Sequence, residues 1–197
     1  MSLEHILLGL VREPCSGYDL KAVFDQALSY FWPADQSQIY RTLQRLTANG
    51  LLRNRIQASD KGPDRRVYTL TAAGRRELRD WLARGPSFGD ERFTFMAQMF
   101  FLAEQEDLES TLRFTKEVGD TYRKRLKKFR QIDREWQVGS PNYPPIDSDD
   151  GFHMHLTLRM GLHRAESGIK WCNETVRSIE ERIATQSSGS SKQRRSK

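Results

Sequence analysis

The segment that most constrains the fold covers residues 35–70, where an amphipathic helix is followed at once by a β-hairpin. Asp35 or Ser37 can cap the start of the helix, and Gly50 can end it in a left-handed conformation. Apolar side chains recur at helical spacing on one face, at Ile39, Leu43 and Leu46. This spacing predicts a short helix that buries one side and exposes the other.

The opposite face of this helix carries side chains that can hydrogen-bond phosphates or base edges. They are Gln38, Arg41, Thr42 and Arg45. A surface helix with a purely structural role has no need for this selection. We therefore interpret it as a recognition helix.

After Gly50 the pattern of apolar and polar residues changes from a helical period to alternation with a period of two. Residues 52–56 alternate, residues 59–64 form a break rich in Gly, Pro and Asp, and residues 65–70 alternate again, which predicts a hairpin. Its tip and flanks carry Lys61, Arg65 and Arg66. A helix followed by a basic hairpin is the order of a winged helix-turn-helix, in which the helix enters the major groove and the hairpin contacts the neighbouring backbone.

The distribution of charge agrees with double-stranded DNA as the partner. The 197-residue chain has a net charge of +6. Between residues 36 and 66 the acidic residues are Asp60 and Asp64, whereas the basic ones are Arg41, Arg45, Arg53, Arg55, Lys61, Arg65 and Arg66. The positive field is therefore concentrated where the groove-reading elements are expected.

The second half of the chain is predicted to be helical. A Gly- and Pro-containing break at residues 85–89 marks the domain boundary, which gives a DNA-binding domain over 1–85 and a helical domain over 86–185. Residues 93–102 are apolar on most sides, so we expect a buried helix there. A long helix is predicted over 107–136, and residues 186–197 are expected to form a disordered basic tail. The predicted fold class is mainly α.

The last predicted helix, from Phe152 to about Ala184, carries an unbroken seam for packing along another helix. Its dimerisation residues are Leu162, Ile169, Cys172, Val176, Ile179 and Ile183. More than three heptads exceed what a small domain ordinarily buries internally. We therefore expect a homodimer, built by pairing with the same helix or with the long helix of the other subunit.

Catalytic and metal-binding patterns are lacking. His153 and His155 point to different sides of a helix, and no phosphate loop, nucleophile elbow or carboxylate pair is found, so we expect neither an enzyme nor a cofactor. No leader or membrane-spanning run is found, so we expect a cytoplasmic protein without membrane contact. Cys15 and Cys172 are expected to be reduced and structural.

The first 85 residues resemble the PadR family of bacterial transcriptional regulators, in the subgroup with an extended helical C-terminal half. The resemblance lies in Gly17-Tyr18 at the start of the second helix, in Ile39-Tyr40 with Leu43 and Leu46, in Gly50-Leu51, and in Tyr68-Thr69-Leu70-Thr71 with Gly74. It implies a repressor that is released by a small aromatic ligand bound between the two domains.

Two sets of site residues follow. DNA contact is assigned to Ser37, Gln38, Tyr40, Arg41, Arg45, Lys61, Arg65 and Arg66, and Tyr40 can equally be a packing residue. The ligand walls are assigned to Phe93, Phe100, Trp136, His155 and Trp171, which can equally be core residues. The aromatic connector at residues 30–33 is either a hydrophobic plug under the wing or a ligand contact.

Two other functions remain open at this point. In one, the winged helix is a protein-interaction module and its basic charge is incidental. In the other, the chain is a regulator without a ligand, and its C-terminal half serves only to dimerise. A DNA complex should weaken steeply with salt, and a protein interface much less.

Overall fold

The computed structural model describes residues 2–28, 31–58, 64–89 and 92–194, with the backbone alone for residues 2, 26, 27 and 188–194. The chain divides into two units, Met1–Asp90 and Glu91–Lys197. Among the described residues the structure is mostly helical, with one small antiparallel sheet in the first unit. The predicted fold class, mainly α with an N-terminal winged helix-turn-helix, is confirmed.

The first unit contains four α-helices and three strands among its described residues. The helices are α1 (Ser2–Leu10), α2 (Gly17–Val23), α3 (Gln36–Ala48) and α4 (Ala72–Ala83). A π-helical turn at Phe24–Leu28 continues α2. The strands are β1 (Cys15–Ser16), β2 (Leu52–Gln57) and β3 (Arg65–Leu70), in the order β1-β3-β2. The predicted helix and hairpin are thus confirmed.

The core of this unit joins the helices to the base of the hairpin. The first two helices, the turn after α1 and the π-helical turn contribute Leu7, Leu8, Val11, Leu20 and Phe24. The recognition helix contributes Ile39, Leu43 and Leu46, and the hairpin contributes Leu52, Tyr68 and Leu70. Since α3 buries all three residues of its apolar face, its orientation is fixed and its polar face is left outside.

The hairpin joins α4 through a tight junction at Leu51. Its carbonyl oxygen accepts hydrogen bonds from the backbone N–H of Thr71 at 3.2 Å and from the Thr71 hydroxyl at 2.9 Å. The Thr71 oxygen also caps α4 by accepting from the N–H of Gly74 at 3.0 Å. A Cβ added at Gly74 would lie 2.1 Å from the Leu51 oxygen. The junction therefore requires glycine at this position.

The second unit is built on an antiparallel pair of long helices. Its elements are α5 (Thr94–Phe100), a 3-10 turn (Leu102–Gln105), α6 (Leu108–Gln137) and α7 (Asp149–Arg194). Lys116 pairs with Glu180 at 3.4 Å, whereas Arg130 pairs with Glu166 at 3.0 Å. The later residue of α6, Arg130, thus pairs with the earlier residue of α7, Glu166. The two helices therefore run in opposite directions.

Part of the α7 seam that was predicted for dimerisation is buried within the single chain. The positions that α7 buries recur every seven residues, at Leu158, Ala165, Cys172 and Ile179. The intervening positions Leu162, Ile169, Val176 and Ile183 are half-buried. Cys172 and Ile179, both assigned to the dimer interface, are buried within the single chain. The two helices approach each other closely where Gly168 of α7 faces Tyr122 of α6. A Cβ at Gly168 would lie 2.6 Å from the Tyr122 ring.

One expectation for this half is wrong. The apolar segment around α5 is not buried: Phe100 is 81 % exposed and Phe101 is 64 % exposed. Phe95 of this short helix packs inward, with ring centroids 6.3 Å from Tyr122 and 6.2 Å from Trp171. The backbone of α7 is helical through Arg194, whereas the sequence predicted a disordered tail from Gln186. None of the described helices is long and apolar enough to cross a bilayer.

Candidate nucleic-acid interface

The start of α3 is fixed by a reciprocal cap. The Asp35 carboxylate accepts from the N–H of Gln38 at 2.7 Å, and the Gln38 side-chain oxygen accepts from the N–H of Asp35 at 3.0 Å. This capping box satisfies two amide donors that the helix itself leaves open. Asp35 is thus the cap, and Ser37 stands exposed in the first turn.

The outer face of α3 differs from the one that the sequence suggests. Its exposed polar residues beyond the first helical position are Ser37, Gln38, Arg41, Gln44 and Arg45. Thr42 does not belong to it, because this side chain is buried and its hydroxyl donates to the Gln38 carbonyl at 2.8 Å. The exposed set therefore consists of one hydroxyl, two amides and two guanidinium groups, all of which can hydrogen-bond base edges or phosphates.

Tyr40 lies between the two interpretations that the sequence leaves open. The residue is half-buried, and its ring covers Gly17, the first residue of α2. A Cβ added at Gly17 would lie 2.6 Å from the ring and 2.9 Å from the hydroxyl oxygen. The ring thus braces α3 against α2, which favours the packing interpretation for the ring.

The two arginines of α3 are in different electrostatic surroundings. Arg45 forms an ion pair with Glu4 of α1, with Nε 2.7 Å from the carboxylate oxygen. Arg41 is exposed and has no ion-pair partner among the residues described. Arg41 therefore carries most of the unneutralised positive charge on this helix.

The register of the hairpin separates Arg65 from Arg66. Arg65 pairs with Gln57 and Arg66 pairs with Ile56, and successive residues of a strand point to opposite faces. Arg66 lies on the same face as Tyr68, to which it is hydrogen-bonded; burial raises the pKa of Tyr68 and Arg66 acts against this. The two arginines therefore lie on opposite faces of the hairpin.

Arg65 instead shares its face with two arginines that the prediction left out. The register places Arg53, Arg55 and Arg65 on one side of the hairpin, away from the buried pair Leu52 and Leu70. All three are exposed. We call these three residues the arginine face. The alternation in residues 52–57 could have identified it, because Arg53 and Arg55 are two positions apart. Lys61, at the predicted hairpin tip, lies outside the described residues.

A small cavity of about 310 Å³ lies beside the arginine face, lined by Arg55, Arg65, Cys15 and Asp19 among others. Hydrogen bonds from Ser16 lower the pKa of Asp19, so this carboxylate is ionised near Arg65. Burial, reinforced by the charge of Asp19, raises the pKa of the Cys15 thiol to about 11. Burial also raises the pKa of Cys172. Both cysteines are therefore neutral thiols at pH 7, as expected of structural residues.

We expect Arg55→Ala to weaken binding to every DNA sequence by a similar factor, because a hairpin arginine contacts phosphate and not a base edge. The slope of log affinity against log salt concentration should become shallower by about one for each lost phosphate contact. Fluorescence anisotropy at a series of salt concentrations measures this slope. Arg79→Ala, which removes an equal charge from the exposed side of α4, is the control. A loss confined to one DNA sequence would contradict the phosphate role.

The residues predicted to line a ligand site fall into separate places. Trp136 stacks on Tyr143 at 4.8 Å and meets His155 edge-on at 5.6 Å. Phe93 and Trp171 both contact Phe95, and the Arg164 guanidinium lies 5.8 Å from the Phe93 ring. Phe100 belongs to neither cluster and meets the Phe101 ring edge-on. The five residues therefore do not form one pocket within the second unit.

The first of these clusters is satisfied without a ligand. The Trp136 indole N–H donates to the Pro144 carbonyl at 2.8 Å, and His155 Nε2 lies 2.7 Å from an Asp133 oxygen. Trp136 is buried, so the loop before α7 closes over it as a plug. Within the described parts of the chain, no group of three or more His, Cys, Asp and Glu side chains can hold a metal ion.

Comparison with known proteins divides the chain at the same place as the structure. Residues 6–80 match the transcriptional regulator PadR-like family, and residues 91–180 match the family described as virulence activator alpha C-term. The first match contains the helix, the hairpin and the capped start of α4. The second contains α5, α6 and most of α7.

Individual relatives match along almost the full length. The negative transcriptional regulator PadR of Bacillus subtilis is 29% identical over 181 residues, which cover 90% of this chain and 97% of the relative. The crystal structure of B. subtilis PadR with operator DNA superposes with a TM-score of 0.76 at 26% identity, covering 91% and 99% of the two chains. The structure of the same protein with p-coumaric acid gives a TM-score of 0.69 at 27% identity, covering 90% and 95%.

Proposed function

Because the chain belongs to the PadR-like family of transcriptional regulators, we propose that it binds a specific operator in double-stranded DNA as a homodimer. The observation that carries this proposal is the pairing of an outward polar face on α3 with the arginine face on the adjoining hairpin. Residues 1–85 make the DNA contact, and residues 86–185 join the subunits. The protein acts in the cytoplasm and is not an enzyme.

The roles of the individual residues follow from where they are held. Ser37, Gln38 and Arg41 contact base edges, since they lie on the first two turns of the helix that enters the major groove. Arg53, Arg55 and Arg65 contact the neighbouring phosphates. Arg45 contacts DNA only by sharing its guanidinium with Glu4. Two such units, about one helical turn (~34 Å) apart, read an inverted repeat.

The surface that joins the subunits is the apolar one that the single chain leaves uncovered. In α7, Phe152, Leu156 and Met160 are spaced by four and are 54 %, 42 % and 59 % exposed. Leu156 and the buried Leu158 are two positions apart, so this stripe lies on the side of α7 opposite to α6. Exposed apolar stripes of this kind mark protein interfaces. A second copy covers it, since two-fold pairing places the same stripe on both partners.

We expect Leu156→Glu to dissociate the dimer, because the two-fold axis brings two carboxylates into one apolar interface. Juxtaposed like charges cost several kcal/mol, which corresponds to a rise in the dimer dissociation constant of at least about 100-fold. Light scattering should then give the 23.0 kDa mass of one chain at concentrations where the unmodified protein is a dimer. Lys128→Glu on the outer face of α6 is the control. A dimer that persists in Leu156→Glu would place the interface elsewhere.

The regulator represses transcription, and a small aromatic acid releases it. Support comes from the B. subtilis relative, which is a negative regulator and has been solved both with operator DNA and with p-coumaric acid. The residues first assigned to the ligand, Phe93, Phe100, Trp136, His155 and Trp171, are dispersed in the second unit. They therefore give no support to a single site there.

The test is binding of the purified protein to its own upstream DNA and to a random duplex of equal length, at two salt concentrations. Tighter, salt-sensitive binding of a dimer to the upstream fragment is the expected result. A dimer that binds neither duplex at low salt would refute DNA binding and favour the protein-interaction module. A dimer whose DNA affinity no aromatic acid changes would favour the ligand-independent regulator.

A further inference from the structure

A carboxylate lies beside the recognition helix, on the side where the proposed function places DNA. Glu4 belongs to the first turn of α1, and its oxygen lies 2.7 Å from Nε of Arg45 in α3. The Glu4 side chain is 18 % exposed, whereas that of Arg45 is 52 % exposed. A negative charge at this place opposes the approach of phosphates, so DNA contact alone does not account for it.

The start of α1 is held against the rest of the winged domain. Leu3 packs against the core, and His5 is buried, with Nε2 3.1 Å from an oxygen of Glu77 in α4. The His5 ring also stacks on Trp81, with ring centroids 4.8 Å apart. Because Glu4 lies between these two anchored residues, its carboxylate is held at one place beside α3.

Arg45 lies on the same side of α3 as Arg41. The two residues are four positions apart, which makes them neighbours on the surface of a helix. Both also border an open cavity of about 600 Å³ beside the start of α1. The Arg45 guanidinium is thus one helical turn beyond a residue that is proposed to contact bases. This position suits a phosphate contact, because the DNA backbone borders the groove that the helix enters.

The ion pair with Glu4 limits what Arg45 can contribute to DNA binding. To donate fully to a phosphate, the guanidinium must leave Glu4. The half-buried carboxylate then keeps its charge without its cation, close to the approaching phosphates. The ion pair therefore opposes one additional phosphate contact, whatever the base sequence is. Contacts of this kind supply nearly all of the affinity for non-specific DNA.

We propose that Glu4 is a positioning residue that holds Arg45 away from the DNA backbone and so limits sequence-independent binding. This inference rests on the proposed function and adds a residue that lowers affinity in favour of selectivity. On the operator, base contacts fix the position of α3. On random DNA, the dimer slides among positions that phosphate contacts alone stabilise. Removal of the restraint therefore benefits random duplex at least as much as the operator.

The experiment compares Glu4→Gln with the unmodified dimer, on random duplex and on the upstream fragment, by fluorescence anisotropy over a series of salt concentrations. Glutamine keeps an oxygen that can accept from Arg45 but removes the charge. Each released arginine adds one phosphate contact and steepens the slope of log affinity against log salt concentration by about 0.9. Random duplex should then bind roughly 8- to 60-fold more tightly at about 0.1 M salt, for one or two new contacts per dimer. The upstream fragment should gain no more than this.

Two further variants show whether the gain comes from Arg45. Asp80→Asn removes an equal charge from the exposed side of α4 and controls for the general rise in positive charge. The double variant Glu4→Gln/Arg45→Ala should lose the whole gain. Arg45→Ala should therefore cost much more affinity in the Glu4→Gln background than in the unmodified protein, and the double-mutant cycle measures this coupling.

Three results would overturn the proposal and leave the proposed function standing, since the unmodified protein still binds its upstream DNA in each. The first is an unchanged affinity of Glu4→Gln for random duplex. The second is a gain that survives the loss of Arg45 or that Asp80→Asn equals. The third is a larger gain on the upstream fragment than on random duplex, because Arg45 would then read bases. If neither the unmodified protein nor Glu4→Gln binds any duplex at low salt, the proposed function fails as well.

Discussion

Gly74→Ala is expected to lower the free energy of unfolding of the winged domain by about 3 kcal/mol, at the upper end of the cost of overpacking. The new methyl group would lie 2.1 Å from the Leu51 carbonyl oxygen and 2.8 Å from Leu70 Cδ1. Moving that oxygen away from the methyl group would weaken both hydrogen bonds that it accepts from Thr71. The gain of about 1 kcal/mol in helix propensity from glycine to alanine does not offset this clash.

Gly9→Ala is the matched control, since Gly9 is also helical but a Cβ there meets nothing within 4 Å. It should raise stability by up to about 1 kcal/mol, so the two variants differ in sign. Urea denaturation followed by circular dichroism measures both. A stable Gly74→Ala variant would mean that α4 can shift away from the hairpin without breaking the junction at Thr71.

Arg41→Ala should produce the largest loss of operator affinity among the DNA-contacting residues. A bidentate arginine–guanine contact is worth about 1–3 kcal/mol, and a dimer loses one in each half-site, so the total is about 2–6 kcal/mol. This corresponds to roughly 30-fold to 20,000-fold in the dissociation constant. Random duplex, which offers Arg41 only phosphates, should lose much less. Titration of both duplexes by anisotropy measures the two losses.

Arg41→Lys separates charge from geometry, because lysine keeps the positive charge but not the planar pair of donors. It should retain the salt dependence of the unmodified protein and lose much of its preference for the operator. Equal losses on operator and random duplex in Arg41→Ala would show that Arg41 contacts only the backbone.

The winged domain could be predicted from the sequence because its signals are local. Ile39, Leu43 and Leu46 define the buried side of α3, and the change to a period of two after Gly50 defines the hairpin. The polar side was harder to define. The buried Thr42 hydroxyl donates to the Gln38 carbonyl, and the pairing of Arg65 with Gln57 depends on the strand register, which the residue types alone did not reveal.

The second unit was predicted as helices but not as a packing arrangement. The seam of α7 has a heptad period, and periodicity cannot say whether the partner is another chain or α6 folded back in the same chain. Cys172 and Ile179 face α6. Hydrophobicity likewise placed the residues around α5 inside, whereas Phe100 and Phe101 are outside.

The double use of Gln38 limits how this regulator can acquire a new operator. The Gln38 side-chain oxygen accepts from the N–H of Asp35, so the direction in which the remaining amide N–H donors reach the bases is coupled to the integrity of the helix start. Glutamate keeps the cap but brings a negative charge to the phosphates, and shorter or apolar residues give up the cap. When the operator sequence changes, substitutions are therefore tolerated more easily at Ser37, Arg41 and Gln44. Among the described contacts, the side chains of these residues do not cap the helix. Specificity can diversify at these three positions, while Gln38 stays under structural selection.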